Sequence, residues 1–342
     1  MVSKNQNSRT SSRNLLFKDG FRNITQEQII LFIAGVFFIF FAFAVKGFAT
    51  FGNITIMMRN ISVLGIFSIG MGMVVIAKGI DLSEVAVGAM SAAWVLQLAT
   101  DGMNLGYAIF LGLALALFLG ALNGYLIAFI EIPALFATLA SGIYVFGFVR
   151  YFLLNNQENH FLPKADNAFL FVGQGKIMGI PTPILIFALI ALLAHLFLRL
   201  TRNGRFFYAM GDNEDAARMA GISIRPMKIF QYALCSFIGY LAALVMMGTT
   251  GSINVRIVSS TLIFDVVLVV VLGGISLIGG RGSVFSVIAG VLLVGILLNG
   301  MTLLHYALPT QDLIKGIILL GAILLDTFLH PRDEETARQG DI

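Results

Sequence analysis

Long apolar runs, separated by shorter polar segments, fill most of the chain. The runs are about 17 to 24 residues long, which suits helices that cross a bilayer, whereas barrel strands need only about ten alternating residues. Ten runs are predicted to span the membrane, at 29–45, 54–77, 84–100, 106–129, 133–154, 182–200, 229–250, 261–279, 283–304 and 311–329. This pattern predicts an all-α integral membrane protein with about ten transmembrane helices.

Composition excludes a soluble globular protein. Apolar residues make up 58% of the 342 positions and charged residues only 12%, which is about half of the charged fraction of a soluble domain. The 36 glycines fit close helix packing in lipid, where small residues let backbones approach each other. Cys235 is the single cysteine and falls inside an apolar run, so it cannot form an internal disulfide.

The placement of Lys and Arg predicts the orientation. With both termini in the cytoplasm, 15 of the 22 basic residues lie in cytoplasmic segments and seven lie outside, as the positive-inside rule requires. This rule accounts for the basic character of the chain, so no nucleic-acid partner is expected. The predicted layout is a cytoplasmic tail at 1–28, one transmembrane domain at 29–329 with an outer loop at 155–181, and a cytoplasmic tail at 330–342.

The longest polar interval between the first and last apolar runs is 199–228, which carries six of the 22 basic residues. Within it, Asp212 to Asp215 can start a short helix because their acids suit the positive end of the helix dipole, and Gly221 can end that helix. Ala216 and Ala217 would give a flat face for another protein. The interval is either a docking surface or a solvated loop that fixes topology, and its length favours docking.

Basic residues flank this short helix. Arg205, Arg218 and Arg225 can pair with acids on a partner protein or with lipid phosphates.

A second polar segment, KGIDLSE at 78–84, joins two predicted spans. Three ionisable groups in seven residues beside apolar helices are costly unless they are paired or hydrated. The segment is either a polar wall of a solute path or a cytoplasmic turn in which Asp81 or Ser83 caps the next helix. Single polar residues in or near other runs could line a path or hydrogen-bond a neighbouring helix: Asn123, Thr138, Ser141, Arg150, Asp265 and Lys315.

The glycine-rich segment 273–283 resembles a phosphate-binding loop only superficially. A Walker A loop needs a Lys to reach the phosphates, and Gly280 occupies that place. We therefore expect a tight turn and no nucleotide site. The four histidines show no metal-ligand spacing, and no catalytic arrangement is suggested, so neither a metal cofactor nor an enzymatic activity is expected.

Five motifs carry a family resemblance. They are KGIDLS at 78–83, IPALFATLASG at 132–142, GRFFYAMGDNEDAARMAGI at 204–222, LGGISLIGGRGSV at 272–284 and LLNGMTLL at 297–304. Together they resemble the membrane permease subunit of the ribose-type (carbohydrate uptake) family of bacterial ABC importers. The matching pieces extend over about residues 60–327, which is nearly the whole apolar body.

The resemblance implies partners and a location. Such permeases present a cytoplasmic coupling loop to a separate ATP-binding cassette subunit, which binds the ATP, so this chain needs no cofactor of its own. A second permease subunit, the same or homologous, and a periplasmic or lipid-anchored sugar-binding protein are also implied, in the bacterial inner membrane. The family core of the loop is acid-Ala-Ala-x-x-x-Gly. The implied coupling residues are Arg205, Glu214, Asp215, Ala216, Ala217 and Gly221.

Two departures from the family pattern leave the solute open. Family members often read GIDLSVGA, whereas here Glu84-Val85-Ala86 follows GIDLS before VGAM. Many members also carry an acid where this chain has Ile263, although Asp265 is present.

We predict a permease subunit of an ABC importer for a small sugar or sugar-like solute. A hydroxyl-rich solute needs hydrogen-bonding groups along its path, and the predicted path residues are Asp81, Ser83, Glu84, Asn123 and Thr138.

Two other functions stay open. An ion-coupled secondary transporter could use the carboxylates of Asp81, Glu84, Asp265 or Asp326, and a membrane enzyme or assembly factor could bind a soluble substrate at 199–228. The Asp-Ala-Ala-x-x-x-Gly core favours the ABC importer over both.

Overall fold

The computed structural model describes residues 26–163 and 167–329, which form thirteen α-helices. The helices are α1 (Gln26–Ala44), α2 (Phe51–Ile76), α3 (Glu84–Thr100), α4 (Leu105–Ala128), α5 (Ala134–Phe152), α6 (Asn167–Gln174), α7 (Thr182–Leu200), α8 (Arg202–Asp212), α9 (Glu214–Met219), α10 (Ile224–Thr250), α11 (Leu262–Leu272), α12 (Val284–Leu303) and α13 (Leu308–Leu329). Short strands are β1 (Asn159–Phe161), β2 (Lys176–Ile177), β3 (Ile180–Pro181) and β4 (Ser252–Asn254), and a 3-10 helix follows at Val255–Ser259. The predicted tails lie outside the described residues, except that 26–28 begin α1.

Seven of the described helices are long and apolar enough to cross a membrane: α1, α2, α4, α5, α7, α10 and α12. The chain is therefore a helical membrane protein, as predicted. The other three predicted spans correspond to α3, α11 and α13. Of these, α3 and α11 are apolar but short, with 17 and 11 residues.

The predicted span at 261–279 is wrong at its C-terminal end, because α11 stops at Leu272. Ile275, Leu277 and Ile278 keep the hydropathy high, but the glycines before them break the helix. Gly274 has a φ of +91°, which L residues with a side chain rarely adopt. The apolar residues after it form a compact turn instead of another helical turn.

Three largely buried helices, α2, α3 and α10, form the centre of the domain. In the most apolar stretch of α2, 83% of residues are buried, against 17% in α1 at the periphery. α10 packs against α2, α3 and α4. A β-carbon at Gly88 of α3 would lie 2.5 Å from the Gly239 carbonyl oxygen of α10, so the two backbones can meet here only because residue 88 is glycine.

Polar segments gather at two opposite ends of the helices. At one end, the Gly280 N–H donates to the Ile76 carbonyl at 2.8 Å and the Tyr208 hydroxyl donates to the Gly282 carbonyl at 2.9 Å. These bonds join the end of α2, helix α8 and the glycine-rich turn. At the other end, β1 pairs antiparallel with β4, with His160 opposite Ile253. Helices α7 and α10 run between the two ends, so 199–228 and the outer loop lie on opposite sides.

The outer loop is ordered by an ion-pair cluster. Glu158 accepts from Arg150 at 3.0 Å and from Arg256 through two nitrogens, at 2.7 Å and 3.0 Å. The hydrogen bonds from Arg256 hold the pKa of Glu158 below its usual range. The carboxylate is therefore charged at neutral pH and ties β1 to the segment after β4.

Glu158→Gln should loosen this end without unfolding the helices. The amide keeps the shape but loses the charge that both arginines contact, so backbone amides of β1 and β4 should exchange with deuterium about two- to fivefold faster. Glu131→Gln is the matched control, because Glu131 pairs with Arg225 at 3.1 Å away from the strands. Equal exchange in Glu158→Gln and the native chain would contradict a stabilising role for the cluster.

Candidate functional site

The segment between α2 and α3 is folded into the protein interior. The side chains of Asp81, Ser83 and Glu84 are fully buried. Ser83 precedes α3, but its hydroxyl does not cap the helix. Instead, Asp81 Oδ1 accepts from the Ser83 N–H at 3.0 Å and from its hydroxyl at 2.5 Å. The segment is therefore not a solvent-exposed turn, because its polar side chains point inward.

Two further predicted path residues join this segment from neighbouring helices. Asn123 of α4 donates through Nδ2 to the Ser83 hydroxyl at 2.8 Å. Thr138 of α5 accepts from the Leu82 N–H at 3.2 Å and donates to the Ala134 carbonyl at 2.8 Å. Asp81, Ser83, Asn123 and Thr138 thus form one buried polar network that connects α3, α4 and α5.

Glu84 lies beside this network, in the first turn of α3. It occupies a space left by two glycines: a β-carbon at Gly70 of α2 would overlap its Oε1, and one at Gly239 of α10 would lie 2.8 Å from its Cγ. The Cys235 thiol lies beside both Asp81 and Glu84. Apart from the Cys235 thiol, neither Glu84 oxygen has a hydrogen-bond partner among the described residues, so a carboxyl group is buried there at considerable cost.

Helix α10 contributes polar groups that the sequence analysis missed. Gln231 donates to the Val74 carbonyl at 3.1 Å. Residues 231, 232, 235 and 236 share one face of α10 by helical spacing, which is the signal that could have identified them. Buried polar atoms around the network without a partner among the described residues are Asp81 Oδ2, Asn123 Oδ1, Gln231 Oε1, the Tyr232 hydroxyl and the Ser236 hydroxyl. The network therefore retains unused hydrogen-bonding capacity.

The short helix predicted in the polar interval is confirmed as α9. Asn213 caps its start, since its side chain accepts from the Ala216 N–H at 2.9 Å. At its end, the Gly221 N–H donates to the Arg218 carbonyl and the Ile222 N–H donates to the Ala217 carbonyl, at 3.0 Å and 3.1 Å. This is a Schellman ending, and Gly221 supplies the φ of +84° that it requires.

The two alanines of α9 do not share a face, contrary to the prediction. Ala217 is buried against Met210 and Ile224, whereas Ala216 is exposed. Four residues of α9 are exposed, Asp215, Ala216, Arg218 and Met219, and Met219 is 84% exposed. Of these, Asp215, Ala216 and Met219 are neighbours on the helix surface at spacings of three and four residues. We call these three residues the α9 face.

Charged residues near α9 hold it in place. Glu214 pairs with Lys228 at 2.9 Å, which ties α9 to the first turns of α10. Arg205 is exposed on α8 and donates to the Leu200 carbonyl at 3.3 Å.

A backbone contact connects α9 with the buried network. Gly211, at the end of α8, packs on the Ile76 carbonyl and on Gly280 of the glycine-rich turn. That turn is confirmed as a tight turn by the positive φ angles of Gly279, Gly280 and Gly282. Ile76 lies five residues before Asp81, so α8 contacts the chain just ahead of the segment that carries the network.

The remaining single polar candidates lie in other environments. Arg150 belongs to the ion-pair cluster of the outer loop. Asp265 pairs with Lys315 at 2.8 Å, between α11 and α13. The side chain of Asp326 lies outside the described part of the chain. Among the described residues, no three His, Cys, Asp or Glu side chains are arranged to hold a metal ion.

A helical membrane domain with a buried polar network, linked to an exposed short helix at one end, has the organisation of a transport permease. Residues 53–323 match a protein family described as "Branched-chain amino acid transport system / permease component". The chain belongs to this permease family, which confirms the resemblance drawn from its motifs.

Relatives support the same assignment. The ribose import permease protein RbsC of Escherichia coli is 32% identical over 246 residues, covering 72% of this chain and 76% of the relative. RbsC of Haemophilus influenzae is 31% identical over 285 residues, covering 82% and 87%. The fructose import permease protein FruF of Bifidobacterium longum is 29% identical over 224 residues, covering 66% and 63%. No solved structure matches the chain.

Proposed function

We propose that this chain is the transmembrane permease subunit of an ABC importer that moves a small sugar or sugar-like solute across the bacterial inner membrane. The observation that carries the proposal is the α9 face, which is exposed, capped at both ends and joined through Gly211 to the end of α2. The names of the relatives, which are ribose and fructose import permeases, support a sugar as solute. A separate subunit binds and hydrolyses the ATP, and this chain performs no covalent chemistry.

The proposed topology has ten membrane crossings within 29–329, with the tails at 1–28 and 330–342 in the cytoplasm. The two opposite polar ends of the helices support it, because the basic interval 199–228 lies at one end and the outer loop at the other. The short helices α3 and α11 would then cross only together with the non-helical segments beside them. Such broken helices at membrane depth are tolerated where they are buried in protein.

In the proposed mechanism, closure of the partner ATPases pushes on the α9 face. The push passes through Gly211 to Ile76 and so to the segment carrying Asp81 and Ser83. The hydrogen bond from Asn123 to Ser83 then breaks as α3 and α4 separate, and the freed polar groups become available to hydroxyls of the solute. Path residues with unused hydrogen-bonding capacity suit this exchange, because their free donors and acceptors can pair with the solute.

The proposed partners follow from the two ends of the domain. An ATP-binding cassette subunit docks on the α9 face, and a periplasmic or lipid-anchored sugar-binding protein delivers solute at the end formed by the outer loop. A second permease subunit, identical or homologous, completes the membrane part.

An ion-coupled secondary transporter is the second candidate. The observation that favours it is the pair of fully buried carboxyl groups, Asp81 and Glu84, with oxygens that lack partners other than the Cys235 thiol among the described residues. Such groups inside a membrane domain can carry protons or cations.

Energy coupling separates the two candidates. We expect the complex, purified through a tag on this chain and reconstituted with its binding protein, to accumulate radiolabelled monosaccharide only when ATP is available to the ATPase. Protonophores and sodium gradients should leave this uptake unchanged. Uptake by the chain alone along an ion gradient, without ATP, would contradict the ABC assignment and make Asp81 and Glu84 the ion carriers.

A further inference from the structure

A cavity of about 350 Å³ opens between α2, α11 and α12, near the end that carries the outer loop. Its size falls within the about 300–1,000 Å³ of small-molecule sites. Apolar side chains, among them Met57, Leu64 and Leu298, form much of its wall. Its polar wall residues are Asn53, Asn60, Asp265, Asn299 and Thr302.

One residue of the polar wall, Asn60, lies at membrane depth and is not covered by this chain. Asn60 is exposed although it is nine residues into the apolar helix α2, which is about 14 Å along the axis. Thr302 of α12 is exposed as well. Uncharged but strongly polar amide groups are costly against lipid tails, so this wall must face water or protein rather than lipid.

Cross-helix bonds hold the polar wall in place. Asn53 donates to Asn299 Oδ1 at 2.8 Å, and Asn299 donates back to Asn53 Oδ1 at 3.1 Å. Asn53 also donates to the Phe48 carbonyl, so both of its side-chain N–H groups are used. Asn299 uses one of its two side-chain N–H groups, and the other has no partner among the described residues. Asp265 Oδ1 is fixed by Lys315 at 2.8 Å, and the same ammonium group pairs with Asp312 at 2.9 Å.

We infer that this cavity is the outer subsite at which an uncharged polyhydroxyl solute rests before it reaches the buried network. The inference rests on the proposed function. Amide groups both donate and accept, as hydroxyl groups require, and the apolar wall suits the C–H surface of a sugar ring. Lys315 is shared by Asp265 and Asp312, so this cluster carries one more carboxylate than ammonium, which disfavours an anionic solute.

Cysteine accessibility tests the inference. In the complete transporter, Asn60→Cys and Thr302→Cys should react with a charged, membrane-impermeant methanethiosulfonate reagent from the outer side about tenfold faster than Leu193→Cys, because thiolates form in water and not in lipid. Leu193 is the matched control, since it is 56% exposed on the face of α7 that the rest of the chain leaves uncovered. The native chain gives the background rate, because its single cysteine, Cys235, is buried.

Protection by solute gives the second readout. D-ribose, D-fructose, D-galactose and D-xylose are added one at a time, and at least one should slow labelling of both cavity positions. Labelling no faster than Leu193→Cys, or labelling that no sugar slows, would overturn the subsite. Sugar protection together with a failure of ATP-dependent uptake would reject the proposed function and retain the subsite.

Discussion

Ala216→Arg should abolish ATP-driven uptake while the chain remains in the membrane. Ala216 is exposed between Asp215 and Met219 on the α9 face, so an arginine there adds bulk and charge without disturbing the interior. A residue at the centre of a protein interface contributes about 2 kcal/mol or more, so binding of the ATPase should weaken about 30-fold or more. The measurement is the amount of ATPase that co-purifies with the tagged chain, together with the solute-stimulated rate of ATP hydrolysis.

Asn203→Arg is the matched control, because it adds the same charge at an exposed position on α8. It should retain the partner. Ala217 is unsuitable for this test, since an arginine there would break the packing of α9 against Met210 and Ile224. If Ala216→Arg keeps the ATPase and its stimulated rate, the α9 face is not the docking surface.

Local signals in the sequence predicted α9 well. Its cap at Asn213 and its end at Gly221 depend on the chemistry of neighbouring residues and not on distant packing. The extent of α11 was wrong for the opposite reason. Hydropathy averages over a window, and the apolar residues after Gly274 carried the predicted span past a glycine whose backbone conformation ends the helix.

The candidate site was predicted in part. Ionisable groups clustered at 78–84 pointed to that segment, and isolated polar residues pointed to Asn123 and Thr138. The direction of a lone polar residue on an apolar helix is set by the neighbours it packs against, so the sequence could not show that Gln231 lies beside the buried network or that Asn60 lines the outer cavity. Both assignments needed the relative placement of α2, α4, α10 and α12.

Gly70→Ala should destabilise the domain strongly, and Glu84→Ala in the same chain should restore most of the loss. A β-carbon at Gly70 would overlap Glu84 Oε1 and lie 3.3 Å from the Cys235 carbonyl oxygen. Overpacking of this kind costs about 1–3 kcal/mol. Truncating Glu84 makes room for the methyl group and removes a buried carboxyl group without partners other than the Cys235 thiol among the described residues, so the two changes should be far from additive.

Thermal unfolding in detergent measures this coupling, and Gly65→Ala is the control on the same helix. Its β-carbon would lie 2.5 Å from the Phe187 ring, a clash that Glu84→Ala cannot relieve. Additive losses for Gly70→Ala with Glu84→Ala would show that Glu84 does not occupy the space beside Gly70.

Glu84→Gln then separates structure from transport, because it keeps the side-chain shape. This variant should unfold near the native temperature, so a slower import rate would report a role of Glu84 in transport rather than a loss of folding.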